Sequence, residues 1–419
     1  MSGDQQPGLK RQLSRPNAEH HSSNTESKQP RTDRDQLASS QDGAEMRAPV
    51  VRFGVHPLSK YSQACPQFSE PRELVSFSYD SNRRACMDNR ELKYYYPPRL
   101  QPPPSLFSGF EQQVKRDHTR NEHIDGLLSA LTHIRQQNGD ESVLLRDAQS
   151  DFVMYRGMLT RIFVTPYSLR DAWSMNATKV GSTIYIEENV TVENIAGRLG
   201  SSEEHQRMMY GGYRFETLCV IDTPPEKLLP EELELNLQAR ADEIVNTNLE
   251  YCSVFRTRLG GHSIVSGAEV DCIERAKPSA FPSRHYRELK TVKLLDSERA
   301  QSSFERFKLL KFWAQSFIAG IPTVTVGFRD ENGVLRGVQD FKTQDMPRMV
   351  KNKPRMWKAN VCMNFADQVL QFIKSHVVED GPETQYRIEY DPESQEIRIS
   401  PLGQREPFLT AEYLSALAP

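Results

Sequence analysis

The sequence predicts an α/β (α+β) fold with a mixed, largely antiparallel sheet system, and three observations lead there. Apolar residues alternate with period two in many short runs, as strands with one buried face require. Helical segments with a single apolar stripe stand singly among those runs and do not alternate with them one for one. Near the C-terminus, runs at 385–390 and 396–400 flank the turn Asp391-Pro392-Glu393-Ser394 and read as a hairpin.

The 419 residues suffice for one large domain or two ordinary ones. Residues 1–45 are rich in Gln, Ser, Asp, Arg and Pro and poor in apolar side chains. Such a segment cannot bury enough surface to offset its chain entropy, so it is read as a disordered tail ahead of a single domain over 46–419. Lys10-Arg11 and the scattered arginines suit nuclear import, and equally a solvated tail with no address. Order is expected from about Pro49. The run 74–79 alternates as a strand, and 95–105 is a Pro-rich connection. A helix is expected over 110–137, where Ile124, Leu127, Leu128, Leu131 and Ile134 form one apolar face. Strand-like runs follow at 152–165, 182–188 and 213–222, then a helix over 226–250 after Pro224-Pro225. Runs at 251–258, 262–274 and 285–294 read as strands, and 297–319 as a helix with Phe304, Phe307, Leu310 and Phe317 on its buried side. Strands at 323–329 and 334–341 flank Glu331-Asn332-Gly333, and a last helix covers 358–377.

Composition removes several function classes. The net charge is −3, from 53 basic and 56 acidic residues, so only a local basic cleft remains as a route to nucleic acid. The six cysteines form no CxxC pair and no zinc spacing, and read as reduced thiols of an intracellular protein. No run approaches about 18 apolar residues and no apolar leader opens the chain, so neither a membrane span nor a secretory signal is expected. GxGxxG, GxxxxGK[ST], HExxH and GxSxG are all missing.

The chemistry concentrates in the central third. Glu216 ends Gly212-Tyr-Arg-Phe-Glu216, Glu269 and Asp271 flank Val270, and Glu288 and Lys290 flank Leu289. In a strand, residues two apart share a face, so neighbouring strands would place three carboxylates and one ammonium in a single patch. Carboxylates that close repel, and a hard divalent cation, Mg²⁺ or Mn²⁺, offsets the charge. Two such ions about 4 Å apart activate a water and stabilise a leaving oxygen in phosphoester or phosphoanhydride cleavage, with Lys290 holding the water or the developing charge. Asp271, sixteen intervening residues and then Glu-x-Lys reproduce the PD-(D/E)xK nuclease pattern. Either triplet alone is more often a solvated strand face; their combination inside apolar runs carries the reading. Lys308, Lys311 and Gln315 form a polar helical stripe that suits either phosphates or plain solvent. Arg156 suits either a phosphate fork or a structural ion pair.

Taken together, GYRFE, EVD and ELK in this order resemble the motifs of the DXO family of RNA-decapping enzymes, whose fungal members include the nuclear partner of a 5′→3′ exoribonuclease. The stretches Tyr155-Arg-Gly-Met-Leu-Thr160, Asn176-Ala-Thr178, 183–188 and Trp357-Lys-Ala-Asn-Val-Cys-Met-Asn-Phe365 support the likeness, which covers about residues 50–405. The resemblance implies two packed mixed β-sheets with surrounding helices. It implies divalent metal, two ions per site, held by Glu216, Asp271 and Glu288, with Glu269 close by and Leu289 contributing its carbonyl. Glu216, Asp271, Glu288 and Lys290 would be the catalytic set. Lys290 and Gln315 would contact the phosphate or the attacking water, Arg156 the RNA 5′ region, and Cys252 and Glu269 the substrate; Cys252 reads equally as a core thiol. The implied activities are hydrolyses at RNA 5′ ends: removal of unmethylated or incomplete caps, pyrophosphate release from 5′-triphosphate RNA and NAD-cap removal. A nuclear location and a nuclear 5′→3′ exoribonuclease partner follow from the same likeness. A general metal-dependent nuclease and a non-catalytic stabilising subunit are the competing readings.

Overall fold

The computed structural model describes residues 49–138 and 150–417. The tail read over 1–45 lies outside the described residues. Two mixed sheets carry the fold. The larger has ten strands, in the order Val51–Gly54, Glu396–Gln404, Gly381–Asp391, Trp173–Val180, Thr183–Glu188, Phe152–Tyr155, His262–Glu269, Glu250–Leu259, Arg72–Tyr79 and Ala85–Cys86. The smaller has six, in the order Leu335–Lys342, Thr323–Arg329, Tyr286–Lys293, Cys272–Ile273, Tyr94–Tyr95 and Val220–Ile221. Phe152–Tyr155 pairs in parallel with both its neighbours, as do Tyr286–Lys293 with Thr323–Arg329 and Cys272–Ile273 with Tyr94–Tyr95; the other ladders are antiparallel. The expected fold class is therefore the observed one.

The chain passes from the large sheet to the small one within two residues, Val270 and Asp271. Glu269 ends a strand of the first, opposite Cys252, and Asp271 immediately precedes a strand of the second, whose Cys272 faces Arg287. Glu269 and Asp271 thus do not share the face of one strand, as the spacing predicts. They stand on either side of a sheet-to-sheet crossing, next to Glu288.

Several elements depart from the sequence reading for physical reasons. Residues 213–222 form no long strand. The helix Glu203–Leu218 runs through Gly211-Gly212, its start capped by Ser202, whose hydroxyl accepts from the His205 amide. A Gly-Gly pair signals a break in sequence, yet the helix continues through it; a Cβ on Gly211 would lie in ordinary contact with Phe107, at 3.4 Å, and one on Gly212 would meet open space. The run 152–165 splits into the strand Phe152–Tyr155 and the helix Arg156–Val164. The helix expected over 110–137 starts at Asp125, preceded by a 3₁₀ turn Phe110–Gln112 and a polar loop in which Asp117 takes the Thr119 amide. The helix expected over 226–250 is the shorter Pro230–Asp242. The segment 297–319 is helical throughout but includes a π-turn, Phe304–Lys308, before Leu309–Ala319. Trp173–Val180, like the shorter Val51–Gly54, Ala85–Cys86 and Tyr94–Tyr95, has no counterpart in the sequence reading, although Trp173, Met175 and Ala177 alternate as buried positions.

The C-terminal turn of Glu203–Leu218 lies over the small sheet because Gly327 leaves room for it. A Cβ at Gly327 would stand 2.5 Å from the Phe215 ring. Gly327→Ala therefore overpacks this contact, and we expect a loss of about 1–3 kcal/mol in denaturant unfolding. An unchanged midpoint and slope would contradict so close a seating of the helix that carries Glu216.

Candidate active site

The acidic residues singled out by the sequence converge at the sheet crossing. Glu288 is the deepest, its side chain 1 % exposed. Its Oε1 lies 2.7 Å from Lys290 Nζ and its Oε2 3.0 Å from Arg156 Nη1. Arg156 reaches it as the first residue of its helix, directly after a strand of the large sheet. Asp271 Oδ2 accepts from the Leu289 amide at 2.5 Å and lies 3.8 Å from Lys290 Nζ. Glu216 arrives from the last turn of its helix and faces Asp271, Glu269 and Lys290 electrostatically.

Two cavities adjoin the cluster. The larger, about 340 Å³, is lined by Tyr79, Arg83, Arg116, Glu122, Tyr155 and Cys252 among others; the smaller, about 120 Å³, by Tyr213, Glu216, Thr217, Glu243 and Asp271 among others. Glu250 and Glu269 line both. Protein surrounds Glu269 closely, but its side chain opens into this double cavity, so it is both solvent-accessible and poorly hydrated.

This placement unbalances the charges. Burial, then Asp271 and Glu269, push the Glu216 carboxyl well above the usual range. Burial and then Glu250 bring Glu269 up to about 7. Burial brings Asp271 up to about 7 against the pull of Lys290. Glu288 goes the other way: burial opposes its charge, but Arg156 and Lys290 overcome that and hold it well below the carboxylate range. Burial would neutralise Lys290, yet Glu288, Asp271 and Glu216 keep its ammonium charged. Three acids with raised pKa values around Glu288 and its two cations are a set whose charge is incompletely matched.

The donor set fits a hard divalent cation: carboxylate oxygens, no sulfur or imidazole, and a deficit of positive charge. Among the described residues, no three His, Cys, Asp or Glu side chains already form a ready metal cage. Arg156 and Lys290 hold Glu288 instead. The fit thus lies in donor chemistry and electrostatics, not in a preformed coordination shell.

The remaining sequence candidates are placed less closely. Cys252 is buried, opposite Glu269, and burial pushes its thiol far up, so it stays protonated. Leu289 is buried beside Asp271. Gln315 is half-buried on a helix packed against the one that Arg156 begins, and lines neither cavity. Lys311, from the same stripe, pairs with Asp171 at 2.9 Å. Sequence reasoning missed a second network. Arg83 bridges Glu122 and Glu250, each at 2.9 Å, and Arg116 also reaches both. These residues lie in a turn, a loop and a strand start with no spacing rule to connect them. The one available signal was Glu250, an acid opening an apolar strand.

An Asp followed by a Glu-x-Lys, brought together at one site, is the residue pattern for which PD-(D/E)xK nucleases are named. Residues 69–414 match the family model described as RAI1 like PD-(D/E)XK nuclease, and the chain belongs to that family. It is an enzyme of the nuclease class. It is 36% identical over 345 residues to the decapping and exoribonuclease protein of Xenopus laevis, covering 80% of this chain and 82% of that one. It is 35% identical over 336 residues to the decapping nuclease RAI1 of Aspergillus fumigatus, covering 78% and 88%. Its fold superposes on Scheffersomyces stipitis Rai1 in complex with (3'-NADP)+ and calcium ion with a TM-score of 0.74 at 25% identity, covering 86% of this chain and 98% of that one. The fold also matches Candida albicans Rai1 in complex with pU5-Mn2+, with a TM-score of 0.77 at 24% identity over 87% and 98%.

A pH dependence follows. Carboxyls whose folded pKa is raised bind more protons in the native than in the unfolded chain, so stability falls as pH climbs from the ordinary carboxylate range through about 7. A bound cation removes that penalty. Melting temperature measured in chelator is expected to fall between pH 5 and 8, and saturating Mn²⁺ to flatten the slope. Parallel profiles with and without Mn²⁺ would contradict the assignment.

Proposed function

We propose that this nuclease hydrolyses RNA 5′ ends with divalent metal at the Glu216, Glu269, Asp271, Glu288 and Lys290 cluster. The observation that carries the reading is the convergence of Glu216, Glu269 and Asp271, all with raised carboxyl pKa values, around Glu288 and its two cations, where an arginine-walled cavity reaches Glu269 and a smaller one reaches Glu216 and Asp271. The names of its relatives, a decapping nuclease and a decapping exoribonuclease, supply the substrate class. The substrates are unmethylated or incomplete caps, 5′-triphosphate ends and NAD caps. They share a phosphodiester or anhydride linkage that the same cluster can hold.

In this reading Glu216, Asp271 and Glu288 hold Mg²⁺ or Mn²⁺, two ions per site, with Glu269 beside them and the Leu289 carbonyl completing the donors. The ions supply Lewis acidity and an acidified water at neutral pH. Lys290 stays charged and pairs with the phosphate being cleaved. Arg156 fixes the position of Glu288 and offers its remaining N–H groups to the 5′ region. Cys252 gives a neutral wall to the substrate cavity, and Gln315 acts from its helix on the phosphate or the water. A nuclear location and association with a nuclear 5′→3′ exoribonuclease complete the proposal.

Glu216→Gln and Asp271→Asn are expected to cut turnover by about 10³-fold or more while the chain stays folded, with a melting temperature in chelator at neutral pH no lower than that of wild type. The assay is a panel of RNAs differing only at the 5′ terminus, run with Mn²⁺ and with chelator. Wild-type rates in both variants would overturn the site. Cleavage of a circular RNA would favour a general nuclease.

A further inference from the structure

The wall of the larger cavity carries a histidine that the acid cluster does not use. His123 Nδ1 lies 2.7 Å from Oε2 of the buried Glu187. The other Glu187 oxygen takes the Asn176 amide at 2.8 Å, and Asn176 Oδ1 takes Arg387 Nε at 3.0 Å. Glu187, Asn176 and Arg387 come from three adjacent strands of the large sheet, so the imidazole is anchored to a rigid surface. His123 itself has a left-handed backbone, φ +45°, with its amide tied to Asn121 Oδ1 at 3.1 Å. That conformation is costly for a residue with a side chain and clusters at functional positions. With Nδ1 engaged, Nε2 is the ring's remaining donor. His123 and Glu187 both line the cavity that reaches Glu269.

The charge of that cavity gives the histidine a task. Its walls hold five carboxylates, Glu122, Glu187, Glu188, Glu250 and Glu269, against three guanidiniums, Arg83, Arg116 and Arg120. Arg83 and Arg116 are already matched to Glu122 and Glu250. A phosphate chain entering such a cavity needs further positive donors. We propose that His123, anchored by Glu187, is a phosphate-binding residue of the substrate cavity that donates from Nε2 to the 5′ phosphate chain of RNA. This rests on the 5′-end reading given above.

The electrostatics agree. The bond to Glu187 raises the His123 pKa above its ordinary value against partial burial. Glu187 faces it from its strand, Asp125 from the following helix and Glu406 from the C-terminal segment; Arg116, Arg120 and Glu122 lie on its own loop, and Arg387 stands behind Glu187. The imidazolium therefore persists to higher pH than in a free histidine, and its contribution to binding is lost as pH rises through the raised pKa.

The test is steady-state kinetics on 5′-triphosphate RNA with Mn²⁺ from pH 6 to 9, using wild type, His123→Asn, His123→Arg and Glu187→Gln. Asn tolerates the left-handed backbone but removes the cation. His123→Asn is expected to raise KM about tenfold with kcat within about twofold, and to lack the alkaline rise in KM expected of wild type. His123→Arg recovers part of the KM, and Glu187→Gln moves the alkaline rise to lower pH. A His123→Asn enzyme with wild-type KM, pH profile and melting temperature overturns the proposal. If His123→Asn melts early, an unshifted alkaline limb in Glu187→Gln overturns it. In both cases an active wild type leaves the 5′-end reading standing. A wild type indifferent to the 5′ terminus overturns that reading and this proposal with it.

Discussion

The structure depends on one electrostatic constraint: four acidic side chains from three segments share a confined volume with too few cations. The backbone creates this volume where it leaves the large sheet at Glu269 and enters the small one at Cys272. Arg156 and Lys290 compensate Glu288, but among the described residues no cation forms an ion pair with Glu216 or Glu269. Like charges in low dielectric repel strongly, and the cheapest response without added charge is protonation. Divalent ions supplied to such a site would compete with those protons for the same oxygens.

The supporting architecture follows from this. Arg156 has to reach Glu288 across the crossing, and it does so as the first residue of a helix springing directly from a strand beside His262–Glu269. Glu216 has to descend from above, and Gly327 lets Phe215 press against the small sheet so that it does. Glu250 and Glu269 are shared between two cavities, which couples the acid cluster to the arginine-lined walls. Arg83 and Arg116 are held there by Glu122 and Glu250, so the cavity is preorganised while its formal charge stays low.

Much of this was legible in the sequence where the signal is local. The fold class, the Thr323–Arg329 strand, the Ala359–His376 helix and the C-terminal hairpin follow from periodicity and turn residues. The acid triplets were legible because charged residues inside apolar runs are costly without a purpose. Tertiary context decided the rest. Glu216 lies on a helix whose Phe215 seats against Gly327, although Gly211-Gly212 and the residues after it in isolation read as a break and a strand. The sheet crossing at Val270-Asp271 has no sequence mark, since Glu-Val-Asp fits one continuous strand equally well. The network of Arg83, Arg116, Glu122 and Glu250 joins segments more than a hundred residues apart, beyond the reach of any spacing rule.

The most direct measurement is calorimetric titration of Mn²⁺ into wild type, Glu216→Gln and Asp271→Asn at neutral pH. The account requires saturable binding to wild type, with protons released on binding, and its loss in both variants. Equal binding by all three proteins, or none by wild type, would show that the acids do not act as a common cation site.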